Sequence, residues 1–231
     1  MNGRILQAIH TDVGNVSYEY NSNGVRTAKT VNDIRTEYLR DAEDRLLGEE
    51  TQGEYLWYLY DATGKAAGYE WQGNSYYYVR NAMGDVEGIS DMEGNLLCSY
   101  YYDAWGNVME ITGDRELAEK SRIRYRGYYY DEESGFYYLR TRYYDPEAKR
   151  FLNRDCLENE SNLYQYCYNN PVNYSDESGM SAYSCSDRYV EIIGLAGYSM
   201  STILIGRGGS NSQYVACYSN SCLLYTSDAA D

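Results

Sequence analysis

Histidine is all but missing from the 231 residues: His10 stands alone in a ragged N-terminal stretch. Ser-His-Asp and Cys-His triads, HExxH zinc sites and HNH-type centres cannot be assembled within one copy of such a chain. No free-standing enzyme is expected. A basic surface is missing too: 20 Lys and Arg face 35 Asp and Glu, a formal charge of −15. Nucleic-acid binding requires a surface that neutralises phosphate charge, so a nucleic-acid partner is excluded. No stretch of 18 or more uniformly apolar residues occurs and no signal peptide follows Met1, so neither a membrane span nor an export leader is read here. The six cysteines (98, 156, 167, 185, 217, 222) show no CxxC spacing and no neighbouring histidine. Zinc and thioredoxin-like chemistry therefore drop out, and neither a metal nor a cofactor is expected. Gly206-Arg-Gly-Gly-Ser210 lacks the Lys of a phosphate loop and reads as a turn.

Proline and phenylalanine occur only twice each, against 31 Tyr and 21 Gly. This balance favours short strands joined by glycine turns over helical packing, and the expected fold is all-β. Self-similarity sharpens that expectation. Tyr18-Glu-Tyr20-Asn21-Ser-Asn-Gly24, Tyr58-Leu-Tyr60-Asp61-Ala-Thr-Gly64 and Tyr100-Tyr-Tyr102-Asp103-Ala-Trp-Gly106 share the pattern Y-x-Y-[DN]-x-x-G. Tyr78-Val-Arg80-Asn81-Ala-Met-Gly84 is a looser copy, and Leu39-Arg40-Asp41-Ala-Glu-Asp44 is looser still, with Asp in the Gly place. The Asp or Asn thus falls at 21, 41, 61, 81 and 103, a twenty-residue period with one two-residue slip. In Y-x-Y both rings point to one face of a strand. The Asp or Asn bonds its own backbone two residues on, and Gly supplies the positive φ that reverses the chain. Each unit is a strand, a turn and a returning strand such as Val108-Met-Glu-Ile111.

At these residues the sequence resembles the RHS/YD-repeat family. Downstream, Arg124-Tyr-Arg-Gly-Tyr-Tyr-Tyr-Asp131-Glu-Glu-Ser-Gly135-Phe-Tyr-Tyr-Leu-Arg140-Thr-Arg142-Tyr-Tyr-Asp145-Pro146-Glu-Ala-Lys-Arg150-Phe151-Leu152 is similar to that family's associated core signature, and Asn162-Leu-Tyr164 through Asn170-Pro171-Val172-Asn173 continues it. Tyr166-Cys-Tyr-Asn-Asn-Pro-Val172 resembles the Gram-positive, wall-associated versions. On its own terms, 131–135 reads as a hairpin loop, and Phe136, Tyr138, Arg140, Arg142 and Tyr144 as neighbours along one Tyr/Arg-rich strand whose guanidiniums stack on rings. Asp114 to Lys120, with an N-cap candidate and helix formers, is the one short helix expected.

The resemblance implies a spiral β-shell segment of a secreted or cell-surface protein that encapsulates and presents a C-terminal, toxin-like effector. Its expected partners are the remaining repeats of a longer chain and an immunity protein for the effector. The chain then divides into repeats at 1–110, core at 111–179, the start of a variable effector region at 180–221, and 222–231. Those last ten residues match a translation of TGT CTC TTA TAC ACA TCT GAC GCT GCC GAC, which resembles a transposase adapter for sequencing libraries. The natural frame is expected to end near Ser221, and Cys222 to stay out of disulfide pairing. A partial shell leaves strand edges, and aggregation is expected of the chain alone. The residues leave a second function open: a tyrosine-rich adhesive or carbohydrate-binding surface repeat meeting a cell-surface glycan, since aromatic faces stack on sugars.

The family's toxin-type cores resemble aspartyl autoproteases that cut just after a D-P-x-G motif. The matching positions here are Asp155, preceded by Arg154, and Asp176, followed by Glu177-Ser-Gly179-Met180. Two neighbouring carboxylates cannot both ionise comfortably, so one keeps a proton while the other activates water. By resemblance, Arg154 stabilises the developing oxyanion and the cut falls after Met180. Both motif prolines are replaced, by Cys156 and Glu177, and the first motif's Gly by Glu158, which changes the turns that aim the carboxylates.

Overall fold

A computed structural model describes residues 5–155, 162–184, 213–218 and 221–226. The repeat region forms one antiparallel sheet of eleven strands in chain order. These are Ala8–Thr11 (β1), Gly14–Tyr20 (β2), Arg26–Val31 (β3), Ile34–Arg40 (β4), Leu46–Thr51 (β5), Glu54–Tyr60 (β6), Ala66–Trp71 (β7), Asn74–Arg80 (β8), Val86–Ser90 (β9), Leu96–Tyr102 (β10) and Val108–Gly113 (β11). The expected all-β class is the observed one.

Two kinds of turn alternate along the chain. On one edge, two-residue turns take both central residues into the left-handed region, as at Asn32-Asp33 (φ 45° and 69°) and Gln52-Gly53 (54° and 84°). These dihedrals match the twist of a tight hairpin. On the other edge lie the Asp/Asn loops foreseen from the repeat. Asp61 Oδ1 accepts from the backbone N–H of Thr63 (2.8 Å) and Lys65 (2.9 Å), and Asn21, Asp41, Asn81 and Asp103 do the same at i+2 and i+4. Gly64 sits at φ +83°, and Asp44 takes the equivalent place at φ +62°. The two-residue slip of the repeat is absorbed at 91–95, where Asp91 bonds the Asn95 N–H (2.8 Å) and a longer loop replaces the two-residue turn.

The strands bury alternate residues. Tyr18, Tyr38, Tyr58, Tyr78 and Tyr100 form one buried column. The next column along, part-buried at the strand ends, reads Tyr20, Arg40, Tyr60, Arg80, Tyr102, and each member reaches back to a carbonyl at or just before the start of a preceding strand. Tyr20 and Tyr102 donate from their hydroxyls to Leu6 O (2.6 Å) and Val86 O (2.8 Å), and Tyr60 to Leu46 O; Arg40 Nε and Arg80 Nη2 donate to Arg26 O (3.1 Å) and Ala66 O (2.5 Å). Tyr and Arg serve alike because both carry a donor at the end of a long, flat side chain. In each unit a β-bulge falls at the same place, next to this column (Glu19/Tyr20, Leu39/Arg40, Leu59/Tyr60, Val79/Arg80, Tyr101/Tyr102). Bulges increase twist, so a bulge in every unit bends the sheet repeatedly.

The second module begins with a helix, Arg115–Lys120 (α1), at the expected position, its N-cap Asp114 accepting from Leu117 N at 3.1 Å. Tyr69 and Tyr100 donate to its last carbonyls, Leu117 O (3.0 Å) and Ala118 O (2.7 Å). A four-strand sheet follows: Tyr129–Asp131 (β12), Phe136–Tyr138 (β13), Tyr143–Asp145 (β14) and Arg150–Phe151 (β15). The loop at 131–135 is the expected hairpin. The Tyr/Arg stretch, however, is two strands and not one, because the chain reverses between 139 and 142 with Arg140 at φ +62°. Arg140 is consequently exposed while Arg142 is buried.

This small sheet packs on the inward face of the large one. Tyr143 meets Tyr18 (centroids 5.2 Å apart) and Tyr129 meets Tyr38 edge-on (5.6 Å). A second cluster, Tyr125, Tyr128, Tyr137, Tyr144, Phe151 and Tyr166, is stapled to the last repeat loop: Tyr125, Tyr144 and Tyr137 donate to the carbonyls of Ala104 (2.9 Å), Trp105 (2.7 Å) and Gly106 (2.8 Å). Two short pairs complete the description, Tyr174–Ser175 (β16) with Tyr183–Ser184 (β17), and Gln213–Tyr218 (β18) with Ser221–Thr226 (β19). The expected effector start therefore falls largely, and the adapter-like tail partly, outside the described residues. Among the described residues no helix is long and apolar enough to cross a membrane.

Candidate functional site

The reversal at 139–142 delivers Arg142 into the space between the two aspartates singled out from the sequence. Its side chain is 6% exposed, and its guanidinium lies 3.6 Å from the centre of the Phe151 ring. Arg142 Nη1 is 2.8 Å from Asp155 Oδ2, and Nη2 is 3.3 Å from Asp176 Oδ2. Nε donates to Gly179 O and Nη1 to Leu163 O (3.4 Å). One buried cation thus joins both carboxylates and the chain segments that carry them. A planar fork of fixed donors is what such multiple bonding needs.

Asp176 follows β16 and is 2% exposed. Its backbone N–H donates to the Tyr128 hydroxyl (2.9 Å). Its Oδ1 gathers the next turn of chain, accepting from the backbone N–H of Ser178 (3.3 Å), Met180 (3.1 Å) and Ser181 (3.2 Å). Thr141 Oγ1 donates to Ser178 O (2.7 Å) and Gly179 O (2.9 Å) from the other side. Gly179 (φ +72°) is required here: a Cβ would stand 2.8 Å from Leu139 O and from Thr141 Oγ1. The Met180–Ser181 peptide is held with its nitrogen against the Asp176 carboxyl.

Burial pushes the Asp176 carboxyl above its ordinary value, and the Arg142 charge and the three backbone N–H groups only partly oppose this. The Ser181 nitrogen, on the far side of the Met180–Ser181 bond, donates to this carboxyl at 3.2 Å. Asp155, 13% exposed at its side chain, is the more open partner. Arg154, expected from the sequence beside them, is exposed at the start of this segment. The guanidinium between the carboxylates is that of Arg142, which the sequence presented as one of several ring-stacking arginines. Cys156 and Glu158 lie outside the described residues, and Glu177 is exposed.

A ladder of twenty-residue hairpin units, closed by a tyrosine-rich cap that clamps the following segment, defines a β-repeat protein. The chain aligns with a solved TcdB2–TccC3 complex lacking its hypervariable C-terminal region, with a TM-score of 0.61 at 23% identity, covering 78% of this chain and 10% of that one. That likeness is one of fold. In sequence the chain is related to the WapA nucleases. It is 39% identical over 172 residues to the tRNA3(Ser)-specific nuclease WapA of Bacillus spizizenii and 40% identical over 172 residues to the tRNA(Glu)-specific nuclease WapA of Bacillus subtilis subsp. natto. Each match covers 71% of this chain and 7% of the relative. No protein-family model matches.

Proposed function

We propose that this segment is the carrier end of an RHS-type toxin: a wall of stacked β-hairpins, secreted or at the cell surface, that encloses and presents a C-terminal effector. One observation carries the reading. Two relatives named for different tRNAs both match this segment, at 39% and 40% identity over 172 residues and only 7% of their own length, which supports a part common to toxins of different specificity. The partners that follow are the preceding repeats, the effector and an immunity protein for it.

The same reading assigns the Asp155–Arg142–Asp176 cluster to self-cleavage after Met180. Asp176 acts as the acid at the leaving nitrogen, Asp155 as the base for water, and Arg142 keeps the two apart and oriented, with Arg154 retained from the motif as a candidate for the oxyanion. The test is intact mass on the full-length native protein. A break after Met180 that disappears in Asp155→Asn and in Asp176→Asn supports the assignment. Uncleaved wild type, or cleavage persisting in both variants, rules it out.

Tyr55 and Trp57 favour a second reading. Their rings are parallel (4°) with centroids 5.9 Å apart, and they are 49% and 42% exposed on the outer face of β6, an aromatic ledge of the kind on which sugar rings stack. Binding to a glycan array that is lost in Trp57→Ala supports it, and no binding by the wild type removes it.

A further inference from the structure

Where the repeat sheet meets the cap, three ionisable side chains converge out of water. Lys29, on β3, has a side chain 5% exposed, and Asp131, at the end of β12, is wholly buried. Lys29 Nζ lies 2.9 Å from Asp131 Oδ1 and 2.7 Å from Glu133 Oε1, whose side chain is 9% exposed. Glu133 Oε1 is close enough for an ion pair, yet it makes no well-angled hydrogen bond. On the far side of Asp131, Arg26 Nη1 approaches Oδ2 at 2.5 Å. Tyr18, Tyr38, Tyr129, Tyr138 and Tyr143 surround the Arg26 guanidinium at 4.5–5.8 Å from their ring centres. Burial works against ionisation of Asp131, but the charges of Arg26 and Lys29 outweigh it and hold the carboxyl below the usual range.

A single buried carboxylate needs one cation, and this one has two, while the amine has a second carboxylate beside it. That arrangement resembles the parts of a condensation: an amine, an acyl carbon, a proton carrier and a donor for the acyl oxygen. We propose that Lys29 and Asp131 join in an intramolecular amide bond, with Glu133 carrying protons and Arg26 holding the acyl oxygen. Glu133 takes a proton from the ammonium, and the freed lone pair of Nζ forms a bond to Asp131 Cγ. The negative charge that gathers on Oδ2 faces the Arg26 guanidinium, the position of an oxyanion donor. The Cγ–Oδ1 bond then breaks. Oδ1 leaves as water with two of the three ammonium protons, relayed by Glu133, and the third stays on the amide nitrogen. One positive and one negative charge vanish together, Glu133 ends as it began, and no oxidant or activated group is consumed.

Two physical conditions favour the product. Strands hold the reacting groups in contact, and effective concentrations in such arrangements reach about 10⁵–10⁸ M. The site is also dry, so the water formed is lost to solvent while a costly buried ion pair is replaced by a neutral amide. The bond would link residues 102 positions apart, tying the repeat sheet to the cap covalently.

The experiment is the mass of the full chain under denaturing conditions, with peptide mapping, which reads soluble and associated protein alike. Wild type that shows β-sheet circular dichroism is expected to be lighter than its sequence by one water and to yield a branched peptide containing Lys29 and Asp131. Lys29→Arg keeps the charge but cannot form the bond, and Glu133→Gln removes the proton carrier. Both are expected at their full sequence mass with the same circular dichroism. Folded wild type at its full sequence mass, with the two peptides recovered separately, overturns the proposal and leaves an ion pair. A water loss that persists in Lys29→Arg overturns it as well.

Discussion

Arg142 and Arg140 stand two residues apart in one motif, and the backbone between them gives them opposite tasks. Arg140 turns outward at positive φ, whereas Arg142 balances two carboxylates in a buried site. Removing a partner from a buried ion pair leaves uncompensated charge, so Arg142→Ala is expected to cost about 3–5 kcal/mol. Arg140→Ala, at an exposed position, should stay within about 0.5 kcal/mol. Urea unfolding of the two variants checks the contrast, and equal losses would contradict it. Asp176 provides a pH test. Its folded-state value lies above the unfolded one, so its contribution is fully present below the unfolded value and is lost as pH rises through the folded one. Asp176→Asn, neutral throughout, escapes that loss. Its melting temperature relative to wild type should climb from acidic to neutral pH, and a falling difference would show that Arg142 outweighs burial.

At the scale of elements, the loop chemistry sets the repeat. Asp61 satisfies two backbone donors in an exposed loop, so Asp61→Ala should cost about 1 kcal/mol, as for the loss of a helix N-cap. Gly64→Ala meets open space and should cost about 1–2 kcal/mol through its left-handed backbone alone. Gly106→Ala must also displace the Tyr125 ring, 2.6 Å from the new Cβ, and should cost more. Denaturation midpoints that fail to rank Gly106→Ala below Gly64→Ala would contradict this account of the loops. These positions were legible in the sequence because Asp, Asn and Gly do local work there. A second twenty-residue column, Ala28, Gly48, Gly68, Gly88, is equally periodic but carries no local signature. Its function depends on the neighbouring strand: a Cβ on Gly68 would stand 2.0 Å from Tyr76 O, and one on Gly88 2.8 Å from Cys98 O. Close backbone approach leaves no local mark beyond the small residue itself. Asp155 and Asp176 stand out by their motif, and the structure brings both onto Arg142, which the sequence does not mark because ring-stacking and ion-pairing arginines look alike until the reversal at 139–142 is known.

Across the whole molecule, the cap returns to the first repeats: Arg26 pairs with Asp131 and Tyr18 packs on Tyr143, more than a hundred residues apart in sequence. A chain closed this way buries the inward tyrosine column of its early units under its late ones, and leaves β1 and β11 at the sheet edges. Unpaired strand edges are templates for further strands. Under the proposed reading preceding repeats meet that demand on the β1 side, and the clamp on residues 176–181 sets where the following chain departs. Electron cryomicroscopy of the full-length native protein tests this most directly. The account predicts a further strand hydrogen-bonded to Ala8–Thr11, continuing the sheet into a closed wall, with the chain beyond Met180 inside it. An edge at Ala8–Thr11 that stays unpaired, or a C-terminal region lying outside an open sheet, would contradict it.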